Sequence, residues 1–472
     1  MRILLLNPPA KGKKEFIREG RCTQEKGAWT TLWPPVTLAT IGALLEAKGH
    51  EVEIIDAAAQ AVSFGALQEK FKRTKYDLVV WSSATPSISN DLDLAEQIHT
   101  QSPESRTAVL GTHVSALAEL CLESSPTLGF VVRNEPEETV VALAHALQDG
   151  RGAADVPGIS YRDGSKLLHN PSRHFIQDLD RLPFPAWHHL DLGKYRLPLI
   201  GKRFLILSPL RGCPYPCSFC TARTYYGKKI RRRSIPNLMA EIEYDLKQFG
   251  VDHFLVWADT FTAERDYVID FCRTVREKGL RISWTCNSRV DTLDKPLLRA
   301  MADAGCWMIS MGIESGSQSV LDQSNKGITL DQSRSAVRMA KSTGLRVAAH
   351  FILGLPGDTR ETLDDTIDFA LKLDLDLAQF YCATPFPGSP LYELAKREGW
   401  IEGVEFEAFN QDHAVMSFPA LQPSTVNRYR STAFRRFYIR PKIILRLLQM
   451  AQARGAWEML AGGGRFLKWI AT

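Results

Sequence analysis

Three cysteines carry the strongest chemical signal in this chain of 472 residues. Cys213, Cys217 and Cys220 stand in the run Arg211-Gly-Cys-Pro-Tyr-Pro-Cys-Ser-Phe-Cys, a CxxxCxxC spacing. Three thiolates on one short loop can hold three irons of a cubane and leave the fourth open to an outside ligand. The same spacing also suits a zinc site short of its fourth ligand, or three unrelated buried thiols. Position favours the cubane, because the run follows the apolar stretch Phe204–Pro209 and βα barrels keep their chemistry at the C-terminal ends of strands. Polar residues recur at the ends of later apolar stretches: Asp259, then Asn287 and Arg289, then Glu314 and Ser315. Gly354 opens a Gly-Leu-Pro-Gly turn after Val347–Leu353, and Tyr381 lies in the sixth stretch, Ala378–Thr384.

The elements that must position these residues form two α/β units. From Lys202 to about Gly399, six apolar strands alternate with stretches of helical spacing and no glycine-rich dinucleotide signature, which predicts an open (βα)6 partial TIM barrel. Residues 1–150 also alternate, with strands at Arg2–Asn7, Glu51–Asp56, Asp77–Ser82, Thr107–Gly111 and Gly129–Val132. That pattern implies a doubly wound, Rossmann-like sheet, which binds ligands beyond the carboxyl ends of its strands. Asp56, Ser82, Ser83 and Thr85 fall at such ends. Residues 151–201, rich in Pro, Asp and aromatics, read as a hairpin plus linker. Residues 400–472 read as a helical C-terminal region.

CxxxCxxC with Phe219 before its last cysteine, at the mouth of a (βα)6 barrel, resembles the radical S-adenosylmethionine (SAM) superfamily over residues 202–399. The resemblance implies a 4Fe–4S cluster on Cys213, Cys217 and Cys220, with SAM chelating the fourth iron. Reductive cleavage of SAM would then give a 5′-deoxyadenosyl radical that abstracts hydrogen. It further implies SAM contacts from Asp259, where the usual GGE-like motif is replaced by Trp257-Ala-Asp-Thr-Phe, and from Asn287, Arg289, Glu314, Ser315 and Gly354. Glu314 and Ser315 offer acceptors for ribose hydroxyls, and Gly354 lets backbone approach adenine.

A doubly wound domain ahead of such a barrel is similar to the cobalamin-binding class of these enzymes. Leu6-Asn-Pro-Pro9, Trp33-Pro-Pro35, Asp56, Ser82-Ser-Ala-Thr-Pro86 and Gly111-Thr-His113 carry that resemblance. The D-x-H-x-x-G signature is absent, so cobalamin is expected base-off without a histidine ligand, its tail near Ser82, Ser83 and Thr85. Trp29, Trp33 and Trp81 could cover the corrin or simply pack. The layout resembles anaerobic magnesium-protoporphyrin oxidative cyclases and hopanoid-modifying enzymes. It implies C-methylation of an unactivated carbon, with ring formation or rearrangement in lipid or tetrapyrrole pathways as one alternative and a non-catalytic carrier as another. Tyr381 is the candidate to line the substrate cavity; Cys286, Cys306 and Cys382 are read as small hydrophobes.

Composition bounds the rest. With 44% hydrophobic and 24% charged residues, neither a disordered nor a fibrous class fits. Nine cysteines, odd in number and mostly scattered, do not make a disulfide framework, and no apolar run nears the roughly 18 residues that span a bilayer. A cytoplasmic enzyme is expected, with a small-molecule or lipid-like substrate, a reductant such as flavodoxin or ferredoxin, and no nucleic acid partner. From Ser424 onward ten Lys or Arg face one acid, Glu458. With Phe434, Trp457 and Trp469 among them, that region suits either peripheral membrane contact or a helical cap on the barrel.

Overall fold

A computed structural model describes residues 1–10, 12, 15–19, 24–25, 31–198 and 200–450. Trp29 and the part of the basic tail beyond Met450, with Trp457 and Trp469, lie outside these residues.

The first sheet has seven strands: β1 (Arg2–Asn7), β2 (Glu51–Asp56), β3 (Leu78–Ser82), β4 (Arg106–Leu110), β5 (Phe130–Val132), β6 (Ile159–Asp163) and β7 (Lys166–His169). Their order is β2-β1-β3-β4-β5-β6-β7, with the first five parallel and the last two antiparallel. The order reverses between β1 and β3, the crevice where doubly wound sheets take ligands. Ile3 to Leu6 of β1 are wholly buried because a central parallel strand is covered on both faces, and the strand stops at Pro8-Pro9. The hairpin expected in the 151–201 segment adds β6 and β7 to this sheet, so the N-terminal sheet runs past residue 150. Beyond the hairpin, Tyr195 donates its hydroxyl to Asp56 (2.7 Å), tying the linker to the end of β2.

The second sheet is the open barrel: β8 (Leu205–Leu207), β9 (His253–Val256), β10 (Ser283–Arg289), β11 (Cys306–Glu314), β12 (Arg346–Leu353) and β13 (Leu377–Cys382). All six run parallel in sequence order. The helices between them begin where the sequence supplies caps. Ser234, Asp294 and Ser389 accept the first free N–H groups, and Thr329 and Thr359 form capping boxes. Each buries one apolar stripe on the sheet, as Leu238, Met239 and Ile242 do on the helix Ile235–Phe249.

That helix also buries an acid at a cost. Both carboxylate oxygens of Asp245 lack hydrogen-bond partners, beside the buried Glu241–Arg233 pair. Burial and then the Glu241 charge push Asp245 from 3.8 up to about 8, against the pull of Arg233. A carboxyl raised in the folded state gives stability that is full below its unfolded pKa and is lost as pH rises through its folded one. Denaturant titrations should therefore show stability falling between those two values, by at most about 1.4 kcal/mol per pH unit from this group. Asp245→Asn should flatten that slope; an unchanged slope would show that Asp245 is not its source.

Two C-terminal helices, Pro423–Tyr438 and Pro441–Met450, close one side of the barrel. Phe434 packs edge-on against Phe380 of β13, and Tyr438 exchanges hydrogen bonds with the Ala378 backbone. Several of the basic side chains here are paired: Arg436 with Asp368 and Lys442 and Arg446 with Asp374 of the barrel, and Arg430 with Asp412. Before these helices the turn Phe406–Ala408 returns to the first unit, where Phe406 meets the His113 ring edge-on at 4.7 Å. No helix among the described residues is long and apolar enough to cross a membrane.

Candidate active site

The cysteine loop leaves the end of β8 and is fastened from several sides. Cys213 N–H donates to the Gly227 carbonyl, Ser218 N–H to the Ser324 carbonyl, and Leu391 N–H to the Ser218 carbonyl. Asp259, at the end of β9, accepts from Gly212 N–H at 2.7 Å. Gly212 is required there: its φ is +94°, and a Cβ would lie 2.2 Å from the Lys229 carbonyl oxygen. Arg211 enters the loop from an interdomain charge cluster, pairing with Glu137 (2.6 Å) and Glu135 (3.3 Å) of the segment after β5. Arg231 also pairs with Glu135 at 2.8 Å. The N-terminal unit thus grips the residue that precedes the thiols.

The three thiols fit a cluster. Cys213 Sγ lies 3.0 Å from Thr260 Oγ1, Cys220 Sγ accepts from Ala222 N–H at 3.5 Å, and Arg289 Nη1 donates to Cys217 Sγ at 3.8 Å. Such donors stabilise thiolates and tune a bound cluster. One zinc bonded to three thiolates at about 2.3 Å would draw the sulfurs within about 4 Å of one another. Among the described residues, the only trio of candidate ligand atoms within 4.8 Å is Glu46, His188 and His189, so the loop thiols are spread more widely than a single ion requires.

In front of Cys220 lies a cavity of about 430 Å³. Its polar lining includes Asp259, Asn287, Arg289, Glu314 and Lys326, together with Thr285, Ser310, His350, Gln379 and Tyr381. Trp33, Phe204, Phe219, Trp257 and Trp307 make much of the apolar wall, with Trp33 edge-on to Trp257 at 4.6 Å. Ile17, Glu19, Thr31 and Trp33 come from the loops before the first helix, so both units face this space.

Glu314 sits at a bulge with φ +66°, and Lys326 donates to it at 2.6 Å; both are buried. Lys326 escapes sequence reasoning because only the turn of the chain after β11 brings it there. Tyr381 lines the cavity as expected, its hydroxyl 3.3 Å from His350 Nδ1. Burial lowers the pKa of His350, which favours its neutral ring.

Two expected SAM contacts are placed elsewhere. Ser315 is fully buried away from the lining, its hydroxyl 3.1 Å from Thr366 Oγ1, because it follows Glu314 and points the other way. Gly354 donates to Asp358 (2.9 Å), and its missing side chain makes room for Val426 of the C-terminal helix.

At the ends of the first sheet the residues fit a cobalamin tail. Ser83 Oγ is buried with no partner, and Gly111, φ +137°, approaches so closely that a Cβ would meet the Ser83 carbonyl oxygen at 2.3 Å. Ser82 is buried beside it. Thr85 Oγ1 is 3.2 Å from His113 Nδ1, and burial pushes His113 down to about 3. This histidine is held by Thr85 and Phe406 and does not line the cavity. Asp56 is committed within the protein, accepting from Asn7 (3.0 Å) and Tyr195. Trp81 is fully buried among apolar side chains, where it packs and does not cover a ligand.

A model of the radical SAM superfamily matches residues 207–370, and one of the B12 binding domain matches residues 28–144. An uncharacterized methyltransferase of Pyrococcus horikoshii is 33% identical over 94% of both chains. The anaerobic magnesium-protoporphyrin IX monomethyl ester cyclase of Rubrivivax gelatinosus is 32% identical over 86% of this chain and 74% of its own. The fold matches the cobalamin-dependent S-adenosylmethionine radical enzyme OxsB with a TM-score of 0.74 at 18% identity, over 99% of this chain and 71% of that one. The chain belongs to the radical SAM superfamily, in the branch that carries a B12-binding domain. It is an enzyme of the cobalamin-dependent radical SAM methyltransferase family, and its cofactors are a 4Fe–4S cluster, SAM and cobalamin.

Proposed function

We propose that the enzyme methylates an unactivated carbon of a small, largely apolar molecule whose polar end rests on His350 and Tyr381. The observation that carries this reading is the aromatic cavity in front of Cys220, whose lining joins the strand-end polar residues Asp259, Asn287 and Glu314 with the His350–Tyr381 pair. When bound, the three cofactors supply a carbon radical and a methyl group. The protein's part is placement and exclusion of water. Cys213, Cys217 and Cys220 hold the cluster, and Asp259 fixes their loop. Asn287, Glu314 and Lys326 face SAM, the carboxylate offering acceptors for ribose hydroxyls and the ammonium a counter-ion for a carboxylate. Ser82, Ser83 and Thr85 take the cobalamin tail, with Trp33 beside the corrin. The His350–Tyr381 pair hydrogen-bonds the substrate and sets which carbon faces the mouth.

The electron comes from a low-potential protein donor of the flavodoxin or ferredoxin kind. A lipid-like substrate suits the apolar walls. Peripheral membrane contact now rests on Ile439, Ile444, Leu445 and Leu448, which stay exposed on the C-terminal helices while Arg436, Lys442 and Arg446 beside them are paired. Leu445→Glu and Leu448→Glu should then abolish sedimentation with anionic vesicles; equal sedimentation of these variants would leave a structural cap.

The functional test is anaerobic reconstitution with iron, sulfide and hydroxocobalamin, followed by reduction in the presence of SAM. About one equivalent of cobalamin should bind without the spectrum of a histidine ligand. Both 5′-deoxyadenosine and S-adenosylhomocysteine should form. 5′-Deoxyadenosine alone would point to ring formation, and neither product would leave a carrier.

A further inference from the structure

Arg289, at the end of β10, is buried, and its guanidinium is gripped along one edge and across one face. Nε and Nη2 donate to the two oxygens of Asp291, each at 2.9 Å, and Nη2 also donates to the Lys326 carbonyl at 2.7 Å. Its plane lies on Tyr215, 3.7 Å from guanidinium carbon to ring centroid. Tyr215 belongs to the cysteine loop itself. These contacts leave Nη1 for the loop's sulfur, at 3.8 Å from Cys217 Sγ. A side chain needed only to brace the loop could do so through Tyr215 and the Lys326 carbonyl alone. One of the two N–H groups of Nη1 is aimed at the Cys217 sulfur.

We propose that Arg289 is a positioning residue that sets the reduction potential of the cluster through its N–H···S contact with Cys217, and that Asp291 sets how much of the arginine's charge the sulfur feels. This rests on the reading of Cys217 as a cluster ligand. Reduction moves one electron from an external donor of the flavodoxin or ferredoxin class onto the cluster, whose core charge falls from +2 to +1. No proton moves and no bond of the protein changes. With three thiolates the oxidised site carries −1 and the reduced site −2, so a fixed neighbouring cation favours the reduced state. The N–H donor acts in the same direction, since hydrogen bonds strengthen with the negative charge of the acceptor. Tyr215 covers the guanidinium face and limits screening by water. The Asp291 carboxylate opposes the effect, which predicts shifts of opposite sign for the two residues.

The experiment is an EPR-monitored redox titration of the reconstituted holoenzyme without SAM, with iron and sulfide assayed on each sample and SAM binding measured separately. At the wild-type midpoint, Arg289→Gln should lower the ratio of reduced to oxidised cluster about tenfold, the worth of one hydrogen bond to a charged group. Arg289→Lys, which keeps the charge without the fork, should fall between. Asp291→Asn should raise the ratio. Wild-type midpoints in both arginine variants at full iron content would overturn the proposal, as would a change confined to SAM affinity. If Arg289→Gln fails to hold iron, Arg289→Lys and Asp291→Asn decide, and shifts of the same sign in these two also overturn it. A cluster retained in Cys217→Ala would instead overturn the ligand assignment on which the proposal rests.

Discussion

Alanine at Cys213, Cys217 or Cys220 is expected to leave a folded protein that holds no intact cluster and makes no 5′-deoxyadenosine after reconstitution. Folding should survive because the loop is fastened by its backbone and not by its sulfurs. Gly212 N–H is held by Asp259, and the backbones of Cys213 and Ser218 are bonded to Gly227, Ser324 and Leu391. Losing one thiolate exposes a second iron of a cubane that needs three protein ligands to leave only one open. Iron and sulfide should therefore fall to a small fraction of wild type in each variant. Cys272→Ala is the control: this thiol is buried in the barrel wall, burial pushes its pKa up, and it lies outside the loop. Its loss should cost about 1 kcal/mol of stability and leave iron content unchanged. Full activity in any of the three loop variants would overturn the assignment.

The second large effect is expected from Arg211→Ala, which should destabilise the protein by about 3–5 kcal/mol in denaturant unfolding and also reduce cluster occupancy. Arg211 is the partner of Glu137, whose carboxylate is buried and whose second oxygen has no hydrogen-bond partner. Removing the cation leaves that charge uncompensated away from water, which is the costly way to break a buried pair. Glu135 keeps Arg231 and should suffer less. The double variant Arg211→Met, Glu137→Leu should recover much of the stability, because it removes both charges and fills the space. A loss under 1 kcal/mol in the single variant would mean that the cluster of charges is hydrated. Stability regained in the double variant without iron would separate the energetic role of the pair from its role in placing Gly212 and Cys213.

Much of the barrel was legible because each unit states itself locally: an apolar strand, a polar residue at its end, then a capped helix. The cysteine loop, Asp259, Arg289 and Glu314 could be found that way, since each lies at a strand end. Ser315 could not be placed from spacing alone, because one step along an extended chain reverses the side-chain direction and the bulge at Glu314 decides which residue faces inward. Gly354 looked like a site for close ligand approach, yet the neighbour that needs its missing Cβ is Val426, far along the chain. Lys326 and His350 carry no local mark: one stands in a turn and the other mid-strand. The grip of Glu135 and Glu137 on Arg211 depends on how two domains dock, which no window of sequence contains.

The return of the chain at Phe406–Ala408 bears on how this enzyme can be loaded. The two α/β units are joined at three places: by the linker through Tyr195 and Asp56, by Arg211 and Arg231 on Glu135 and Glu137, and where Phe406 seats on His113. A body held at three places does not open like a book. Opening the crevice between the units would have to break the contact of Phe406 with His113, so residues after the barrel bear on access to the strand ends of the first sheet without lining the cavity.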